Sequence, residues 1–322
     1  MKENMNVLVL MHSMERILIT GGNGFLGSHL VDKAIASGMS VTVLDDFSTM
    51  NNVNFPEDAK LIRGRVEETE LNERFNFIVH LAARPSPEDY ISNPVETLLS
   101  NSVGTLKMLN LAKKYGSRFV YASSSEVYGD AKLVPTPENY FGYVNPNGIR
   151  SCYDEGKRYS EALTMAYHRK FGLDTRIQRP FNVYGPRIRP DGKYGRVIPR
   201  FLMQALSGSA LTINGSGSQT RSFLFVDDWL DATWKMVTED DLAGEVINVG
   251  SPNEITIRQL AEMIIRMTHS SSSMAFVPKR EDDPYRRSAD ISKAMALLKW
   301  HPKVSLESGL NHTLRWIKVS IH

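Results

Sequence analysis

The chain has 322 residues, 42% of them hydrophobic and 23% charged, a composition that is ordinary for a folded globular protein. It excludes the disordered, collagen-like and coiled-coil classes, and the length allows a core that needs no disulfide or structural metal. Lysine and arginine number 38 against 36 aspartates and glutamates, so the formal net charge is +2 and we expect no nucleic-acid partner. No apolar run approaches the ~18 residues of a membrane-spanning helix, so no membrane partner is expected.

Residues with special chemistry are sparse. The single cysteine, Cys152, excludes a disulfide within the chain and favours a reducing compartment, which we take to be the cytoplasm. The eight histidines show no metal-ligand spacing, so no metal site is predicted. Residues 1–13 precede the first strong strand signal, and we interpret them as a loose N-terminal extension.

Strand and helix patterns alternate through the first half of the chain. They predict, in order, a strand at Arg16–Thr20, a helix ending at Gly38, strands at 41–44, 61–63 and 77–82, a helix at 95–115, a strand at 119–123, a helix at 152–171 and a strand at 175–179. This alternation predicts an α/β fold with a Rossmann-type, doubly wound parallel sheet that helices cover on both faces.

The second half is richer in proline and glycine, most of all from residue 180 to residue 217. Its patterns predict a helix at 197–207, strands at 223–226 and Val246–Val249 that return to the sheet, and helices at Ile257–Thr268, 291–298 and 306–319. We therefore predict a smaller C-terminal α/β domain, mainly residues 181–322, built on the edge of the first domain.

A glycine loop, Gly21-x-x-Gly24-x-x-Gly27, joins the first strand to the first helix. The three glycines allow a tight turn, a close approach of the backbone to a pyrophosphate, and close packing of helix on strand. Asp45 ends the second strand 18 residues after Gly27, where an acid accepts hydrogen bonds from a ribose 2′-OH and repels a 2′-phosphate. Residues 14–180 are thus predicted to bind NAD rather than NADP, with strands near 223–250 returning to that domain.

A tyrosine and a lysine, Tyr153-x-x-x-Lys157, lie at the start of a predicted helix and share one of its faces. A free tyrosine has a pKa of about 10, and a lysine ammonium together with the positive nicotinamide would favour the phenolate. Such a phenolate can take a hydroxyl proton while hydride leaves the same carbon. The pair predicts dehydrogenase chemistry.

These motifs resemble those of the extended short-chain dehydrogenase/reductases that act on nucleotide sugars. The resemblance covers roughly residues 14–317 and rests also on TGGNGFLG at 20–27, HLAA at 80–83, SSSEVYG at 123–129 and RPFNVYGP at 179–186. It implies that Ser124 and Tyr153 share the sugar hydroxyl and that Lys157 also holds the nicotinamide ribose. It also implies a C-terminal domain that grips the nucleotide, and a homodimer joined through helices 95–115 and 153–171.

The resemblance assigns further contacts residue by residue. The cofactor contacts it implies, besides Tyr153 and Lys157, are Gly21, Gly24, Phe25, Leu26, Gly27, Asp45, Asp46, Leu81, Ala82, Ala83, Asn101, Pro180, Asn182 and Val183. The substrate contacts it implies are Tyr90, Asn182, Arg196, Val197, Thr212, Gln219, Arg221 and Arg287.

Three longer runs are similar to those of UDP-glucuronate decarboxylases: VNPNGIRSCYDEGKR at 144–158, GSGSQTRSF at 215–223 and DDPYRRSADI at 282–291. The last run places that group's active-site arginine at Arg287. The resemblance implies oxidation of a UDP-sugar at C4, loss of CO₂ from the resulting β-keto acid, and return of hydride to give UDP-xylose with NAD regenerated. Arg287 would orient the carboxylate. Glu126, with Ser125 and a water, would manage protonation at C5.

Other readings stay open because the sequence departs from the decarboxylase pattern. Asn214 replaces an aromatic residue usual before Gly-Ser-Gly, and the segment 189–200 is similar to the loop of epimerases and dehydratases. A nucleotide-sugar 4-epimerase or 4,6-dehydratase is therefore the runner-up. A third reading, from another class, is an NAD-binding sensor or scaffold without catalysis. Release of CO₂ distinguishes the first reading from the others.

Overall fold

A computed structural model describes residues 14–48, 55–190, 196–279 and 284–320 of the chain. The strands are β1 Arg16–Thr20, β2 Ser40–Asp45, β3 Ala59–Arg63, β4 Phe77–His80, β5 Arg118–Ala122, β6 Thr175–Pro180, β7 Val183–Tyr184, β8 Leu211–Asn214, β9 Thr220–Ser222, β10 Leu224–Phe225, β11 Val246–Val249, β12 Glu254–Thr256, β13 Met274–Val277 and β14 Arg286–Arg287. The helices are α1 Phe25–Ala36, α2 Pro87–Ser92, α3 Pro94–Leu99, α4 Thr105–Tyr115, α5 Ser151–Phe171, α6 Val197–Leu206, α7 Val226–Thr238, α8 Ile257–Thr268, α9 Ser292–Leu298 and α10 Leu306–Ser320.

Seven parallel strands form the central sheet, in the order β11-β6-β5-β4-β1-β2-β3. In the interior strand β1, Ile17 and Ile19 belong to one buried cluster with α1 and α7, and Leu18 belongs to another with α4 and α5. Both faces of the sheet are therefore buried, which explains why its strands read as continuous apolar runs rather than alternating ones. The predicted Rossmann-type sheet is confirmed.

The sheet also fixes where a ligand can bind. Within the sheet, β2 lies next to β1 on one side, and β4 lies next to β1 on the other side. In open parallel sheets the loops diverge at such a switch point and leave a crevice outside the carboxyl ends of the strands. The glycine loop after β1 and the SSSEVYG run after β5 both leave the sheet at this edge.

Beyond residue 180 the described chain forms three small sheets, which pair β7 with β10, β8 with β13, and β9 with β12 and β14. One prediction is wrong here. The segment 223–226 does not return to the central sheet, because β10 pairs with β7 in a separate sheet and the chain then enters helix α7. Val246–Val249 does return, as the edge strand β11 beside β6. The division at residue 180 stays a prediction.

The predicted helix at 95–115 is also broken more than expected. Its residues form α3, a π-helical turn at Ser100–Gly104 and then α4. The predicted extension at 1–13 lies outside the described residues, as do residues 191–195 of the segment 189–200. Within the described ranges, none of the helices combines the length and the apolar character that a membrane crossing demands.

Candidate active site

The glycine loop forms a tight cradle at the N-terminal end of α1. Gly21 has a φ of +73°, and a Cβ on Gly27 would lie 2.1 Å from the carbonyl oxygen of Gly21. No larger side chain fits there, so the backbone is free to approach a diphosphate at the helix N-terminus. Asp45 ends β2 beside this loop, where its carboxylate accepts hydrogen bonds from the backbone amides of Asn23 (2.9 Å) and Phe47 (2.8 Å).

One cavity of about 790 Å³ runs from this loop across the carboxyl ends of the strands. The predicted cofactor and substrate residues that line it are Gly21, Gly24, Phe25, Leu26, Gly27, Asp45, Asp46, Leu81, Ala82, Ala83, Tyr90, Tyr153, Lys157, Pro180, Asn182, Val183, Arg196, Val197, Gln219, Arg221 and Arg287. Ser124, Ser125 and Glu126 line it as well. The lining includes the glycine loop and Asp45 as well as Gln219, Arg221 and Arg287 from the second half of the chain, which fits NAD plus a nucleotide sugar.

Two predicted contact residues do not line this cavity. The side-chain amide of Asn101 is buried in the π-helical turn and donates to the carbonyl oxygen of Thr97 (2.8 Å). Thr212, on β8, accepts a hydrogen bond through its hydroxyl from the Gln204 amide (2.9 Å). The Asn101 amide nitrogen and the half-buried Thr212 hydroxyl thus each have a hydrogen-bond partner within the protein.

Tyr153 and Lys157 of α5 lie close together, and both line the cavity. Lys157 Nζ donates to the carbonyl oxygen of Ala122 (2.8 Å) and lies 5.8 Å from the centre of the Tyr153 ring. Burial lowers the pKa of Lys157 to about 7. Burial also raises the pKa of the Tyr153 hydroxyl to about 12, although a hydrogen bond to Ser124 acts in the opposite direction. Tyr90 stacks on the Tyr153 ring, with centroids 5.2 Å apart and planes 9° apart.

Glu126 lies in a cluster with two arginines. It follows β5 on the 3-10 turn Ser125–Tyr128, Arg150 precedes α5, and Arg287 lies on β14. Arg287 donates through Nη2 to Oε2 of Glu126 (2.8 Å) and through Nη1 to Oε1, and Arg150 Nη2 also donates to Oε2. Burial alone would raise the pKa of Glu126, but the two guanidinium groups outweigh it and lower the pKa to about 2. The carboxylate is therefore ionised.

A buried ion pair supports the SSSEVYG run from behind. Arg179 on β6 donates to both carboxylate oxygens of Glu161 on α5, at 2.8 Å and 2.6 Å, and to the hydroxyl of Tyr128 (2.7 Å). Ser123 donates through its hydroxyl to the same carboxylate (2.5 Å). The pair thereby ties both ends of the run to the central sheet and to the helix that carries Tyr153.

Sequence reasoning did not predict Arg150 as a site residue. It stands inside the run 144–158 that carries the decarboxylase resemblance, so the signal was present. Its side-chain direction could not be read from spacing, because it lies just outside the helix that holds Tyr153. Asn214, the departure from the decarboxylase pattern named in the sequence analysis, also lines the cavity, as do Arg65 and Val66.

The comparisons with known proteins agree with this fold and cavity. Residues 17–250 match the model of the NAD dependent epimerase/dehydratase family. The chain therefore belongs to that family of NAD-dependent enzymes, and the resemblance stated from its motifs is confirmed.

Individual relatives and solved structures have more specific names than the family model. UDP-glucuronic acid decarboxylase 1 of Danio rerio is 45% identical over 307 residues, which are 94% of this chain and 72% of the relative. Among solved structures, the UDP-glucose 4-epimerase of Thermotoga maritima with UDP-glucose has a TM-score of 0.89 at 32% identity, over 95% of this chain and 100% of that one. MoeE5, solved with UDP-glucuronic acid and NAD, has a TM-score of 0.84 at 28% identity, over 95% of this chain and 99% of that one.

Proposed function

We propose that this protein converts UDP-glucuronic acid to UDP-xylose and CO₂ through a 4-keto intermediate and regenerates its NAD in each turnover. The observation that carries the proposal is the pairing of Glu126 with Arg287 beside Ser124 and Tyr153 in one cavity. In this proposal Arg287 would bind the sugar carboxylate, and Ser124 and Tyr153 would carry out the oxidation at C4 beside it. The decarboxylase relative at 45% identity over 94% of the chain supports the same reaction.

The described residues fit NAD. The cradle closed by Gly27 would hold the diphosphate, and Asp45 would accept hydrogen bonds from the adenosine ribose. When bound, NAD supplies the hydride acceptor and donor at C4 of the sugar, and its positive ring favours the ionised form of Tyr153.

Ser124 and Tyr153 would begin the reaction at the C4 hydroxyl. They are hydrogen-bonded to each other, so one sugar hydroxyl between them can lose its proton to Tyr153. Lys157 lies one helical turn further along α5, where it can stabilise the phenolate and hold the nicotinamide ribose. In the free protein the pKa of Tyr153 is about 12, so its hydroxyl stays protonated until a positive charge arrives.

Arg287 and Glu126 would act after oxidation. A ketone at C4 is β to the C6 carboxylate, so it accepts the electron pair of the breaking C5–C6 bond as CO₂ leaves. Arg287 would orient that carboxylate with a bidentate pair. Glu126 and Ser125 would then hold a water that gives a proton to C5 and is restored by a proton from the solvent. Tyr153 would return its proton to the C4 oxygen as hydride comes back.

A 4-epimerase or 4,6-dehydratase is the second candidate. The Thermotoga maritima epimerase, with a TM-score of 0.89, favours it on overall shape. The Glu126–Arg287 pair favours decarboxylation, because epimerisation at C4 needs no arginine at the C6 end of the sugar. Both reactions share the same first oxidation, so the fate of C6 decides between them.

We also propose that the protein is a homodimer in the cytoplasm. Support for the dimer is a set of exposed apolar side chains on neighbouring α3, α4 and α5: Val95, Leu98, Leu99, Leu106 and Tyr159. A second copy would bury this surface and remove its apolar area from water. The single cysteine, buried on α5, supports a reducing compartment.

The test is incubation of the purified protein with UDP-glucuronic acid and NAD, followed by mass spectrometry of the nucleotide sugars. The proposal expects a product lighter by the mass of CO₂, with no net accumulation of NADH. A product of unchanged mass that migrates as UDP-galacturonic acid would contradict decarboxylation and establish the epimerase. No reaction with UDP-glucuronic acid would also contradict the proposal and would direct the assay to UDP-glucose.

A further inference from the structure

The proposed function leaves one problem in the Glu126 cluster. Arg287 already uses both terminal nitrogens of its guanidinium on the two oxygens of Glu126. That Nη1–Nη2 edge cannot also hold a substrate carboxylate end-on, because one edge of a guanidinium pairs with one carboxylate at a time. Binding of a uronic acid at this edge therefore requires Arg287 to give up at least part of its contact with Glu126.

Arg150 is the residue placed to keep Glu126 when that happens. Its Nη2 donates to Oε2 of Glu126 from the N-terminal end of α5, whereas Arg287 reaches the same carboxylate from β14. Its backbone is fixed, because its carbonyl oxygen accepts from the amides of Tyr153 (3.0 Å) and Asp154 (3.1 Å) in the first helical turn. Its Nε lies 3.8 Å from Oδ2 of Asp154, beyond hydrogen-bond distance, so its contact with Glu126 is the closer of the two.

The position of Arg150 also runs against the electrostatics of a helix. The N-terminus of a helix carries a partial positive charge, so a cation there is disfavoured unless an anion compensates it. Asp154 is a poor compensator, because burial and the negative charge of Glu126 raise its pKa to about 8. Its Oδ1 is buried without a hydrogen-bond partner among the described residues. Glu126 is thus the anion that compensates Arg150.

We propose that Arg150 is the positioning residue that holds Glu126 while Arg287 turns from Glu126 to the carboxylate of the substrate. This inference rests on the proposed function and deepens it, since it assigns separate tasks to the two arginines. Arg287 recognises the substrate carboxylate, and Arg150 keeps the Glu126 carboxylate ionised and in place for the proton at C5. In the free protein Glu126 occupies the fork that the substrate carboxylate takes later.

The ionisation of Glu126 depends on every charged group around it. Besides Arg150 and Arg287, Arg221 on β9 lowers its pKa, whereas Asp154 on α5 would oppose ionisation if it were charged. Tyr90 on α2 and Tyr153 on α5 also face it, and in the free protein both are neutral because burial raises their pKa values. If Arg150 is lost while Arg287 is bound to the substrate carboxylate, Arg221 is the one of these three arginines that still acts on Glu126 alone. The pKa of Glu126 then rises.

The experiment compares Arg150→Gln, Arg150→Lys and Arg287→Gln, with Arg169→Gln as the matched control. Arg169 is an exposed arginine near the other end of α5. The first measurement, on the unchanged protein, is CO₂ release from UDP-glucuronic acid; its absence would refute the proposed function itself, whatever the variants do. The second is the Kd of UDP-glucuronic acid relative to that of UDP-glucose, by calorimetry with NAD present and in a Tyr153→Phe background that prevents turnover. The third is the pH profile of kcat.

Different results are expected for the two arginines. Arg287→Gln should lose the preference for UDP-glucuronic acid over UDP-glucose, by about tenfold or more, because the bidentate pair is gone. Arg150→Gln should keep that preference within about twofold, but lower kcat by about tenfold or more and move the acidic limb of its pH profile upward. Arg150→Lys keeps the charge and should restore most of the limb. Arg169→Gln should match the unchanged protein in all three.

Two outcomes would overturn the inference. If Arg150→Gln lost the carboxylate preference as Arg287→Gln does, Arg150 would be a substrate ligand and not the holder of Glu126. If Arg150→Gln left kcat and its pH profile unchanged, Arg150 would have no part in the reaction. Should the glutamine variant fail to fold, as judged by thermal melting with NAD, the lysine variant decides: an unshifted profile at unchanged kcat refutes the role.

Discussion

The buried pair between Glu161 and Arg179 gives the sharpest test of how the site is held. The Glu161 carboxylate accepts from Ser123 at 2.5 Å and from Arg179 at 2.8 Å and 2.6 Å, with only about a tenth of either charged side chain exposed. Glu161→Gln keeps the shape of the side chain and removes its charge. A guanidinium then remains buried without its counter-ion, and loss of one partner of such a pair costs about 3–5 kcal/mol of unfolding free energy.

The measurement is chemical denaturation of the variant, with the midpoint converted through a shared m value. The matched control is Glu155→Gln on the same helix, whose carboxylate lies 3.4 Å from Arg158 with more than a third of each side chain exposed. The control should lie within about 0.5 kcal/mol of the unchanged protein, because exposed pairs contribute little. If Glu161→Gln cost no more than the control, the pair would not hold the site and the reasoning from burial would be refuted.

Three further results are expected. Tyr153→Phe should keep NAD binding, measured by calorimetry, while CO₂ release falls by about 100-fold or more, and turnover at the original rate would remove Tyr153 from the mechanism. Gly27→Ala should abolish NAD binding because its Cβ would lie 2.1 Å from a backbone carbonyl oxygen, whereas Gly38→Ala, with φ of +77° and open space around it, should lose stability but bind NAD normally. Leu98→Asp should give a monomer in light scattering, whereas Leu297→Asp, at nearly the same exposure of 41% against 42%, should leave the dimer intact; a dimeric Leu98→Asp variant would contradict the proposed interface.

The sequence was sufficient for the central sheet because local and global signals agree there. The buried strands β1 and β4 are short apolar runs, and the helices α1 and α4, which come after β1 and β4 respectively, have buried apolar faces. The glycine loop has only one workable geometry, since a Cβ at Gly27 would collide with the backbone. Family membership was likewise predictable, because these motifs have fixed spacing along the chain.

Prediction failed where a segment had to be assigned from a few residues. The apolar residues at 223–226 are typical of a strand, but only Leu224 and Phe225 pair, and Val226 already begins α7. The buried positions of α7, Val226, Trp229, Ala232, Thr233, Met236 and Val237, recur at helical spacing, so the signal for that helix was available. The π-helical turn at Ser100–Gly104 has no such signal, because periodicity alone does not distinguish it from the helices on either side.

Some of the candidate site residues could be predicted from local sequence patterns, and others could not. Ser124, Tyr153 and Lys157 could be predicted together because two of them share one helical face and the third follows a strand end. The role of Arg150 could not, because it depends on where β14 brings Arg287, which is 161 residues from Glu126 along the chain. Long-range pairing of this kind is set by tertiary packing and leaves no local spacing to detect.

Because of this separation along the chain, the residues proposed for oxidation and the arginine proposed for decarboxylation lie in different parts of the sequence. The residues proposed to handle the C4 proton and the glycine loop proposed to hold NAD all lie before residue 180, whereas the arginine that would release CO₂ comes from β14, a strand of two residues. A change at Arg287 alone should therefore leave the oxidation intact and stop the reaction at the ketone, so that NADH absorbance accumulates in place of CO₂. One short strand would then suffice to turn a decarboxylase into a dehydrogenase of the same sugar, which consumes one NAD for each sugar oxidised, and would allow related enzymes to diverge in product without rebuilding the redox site.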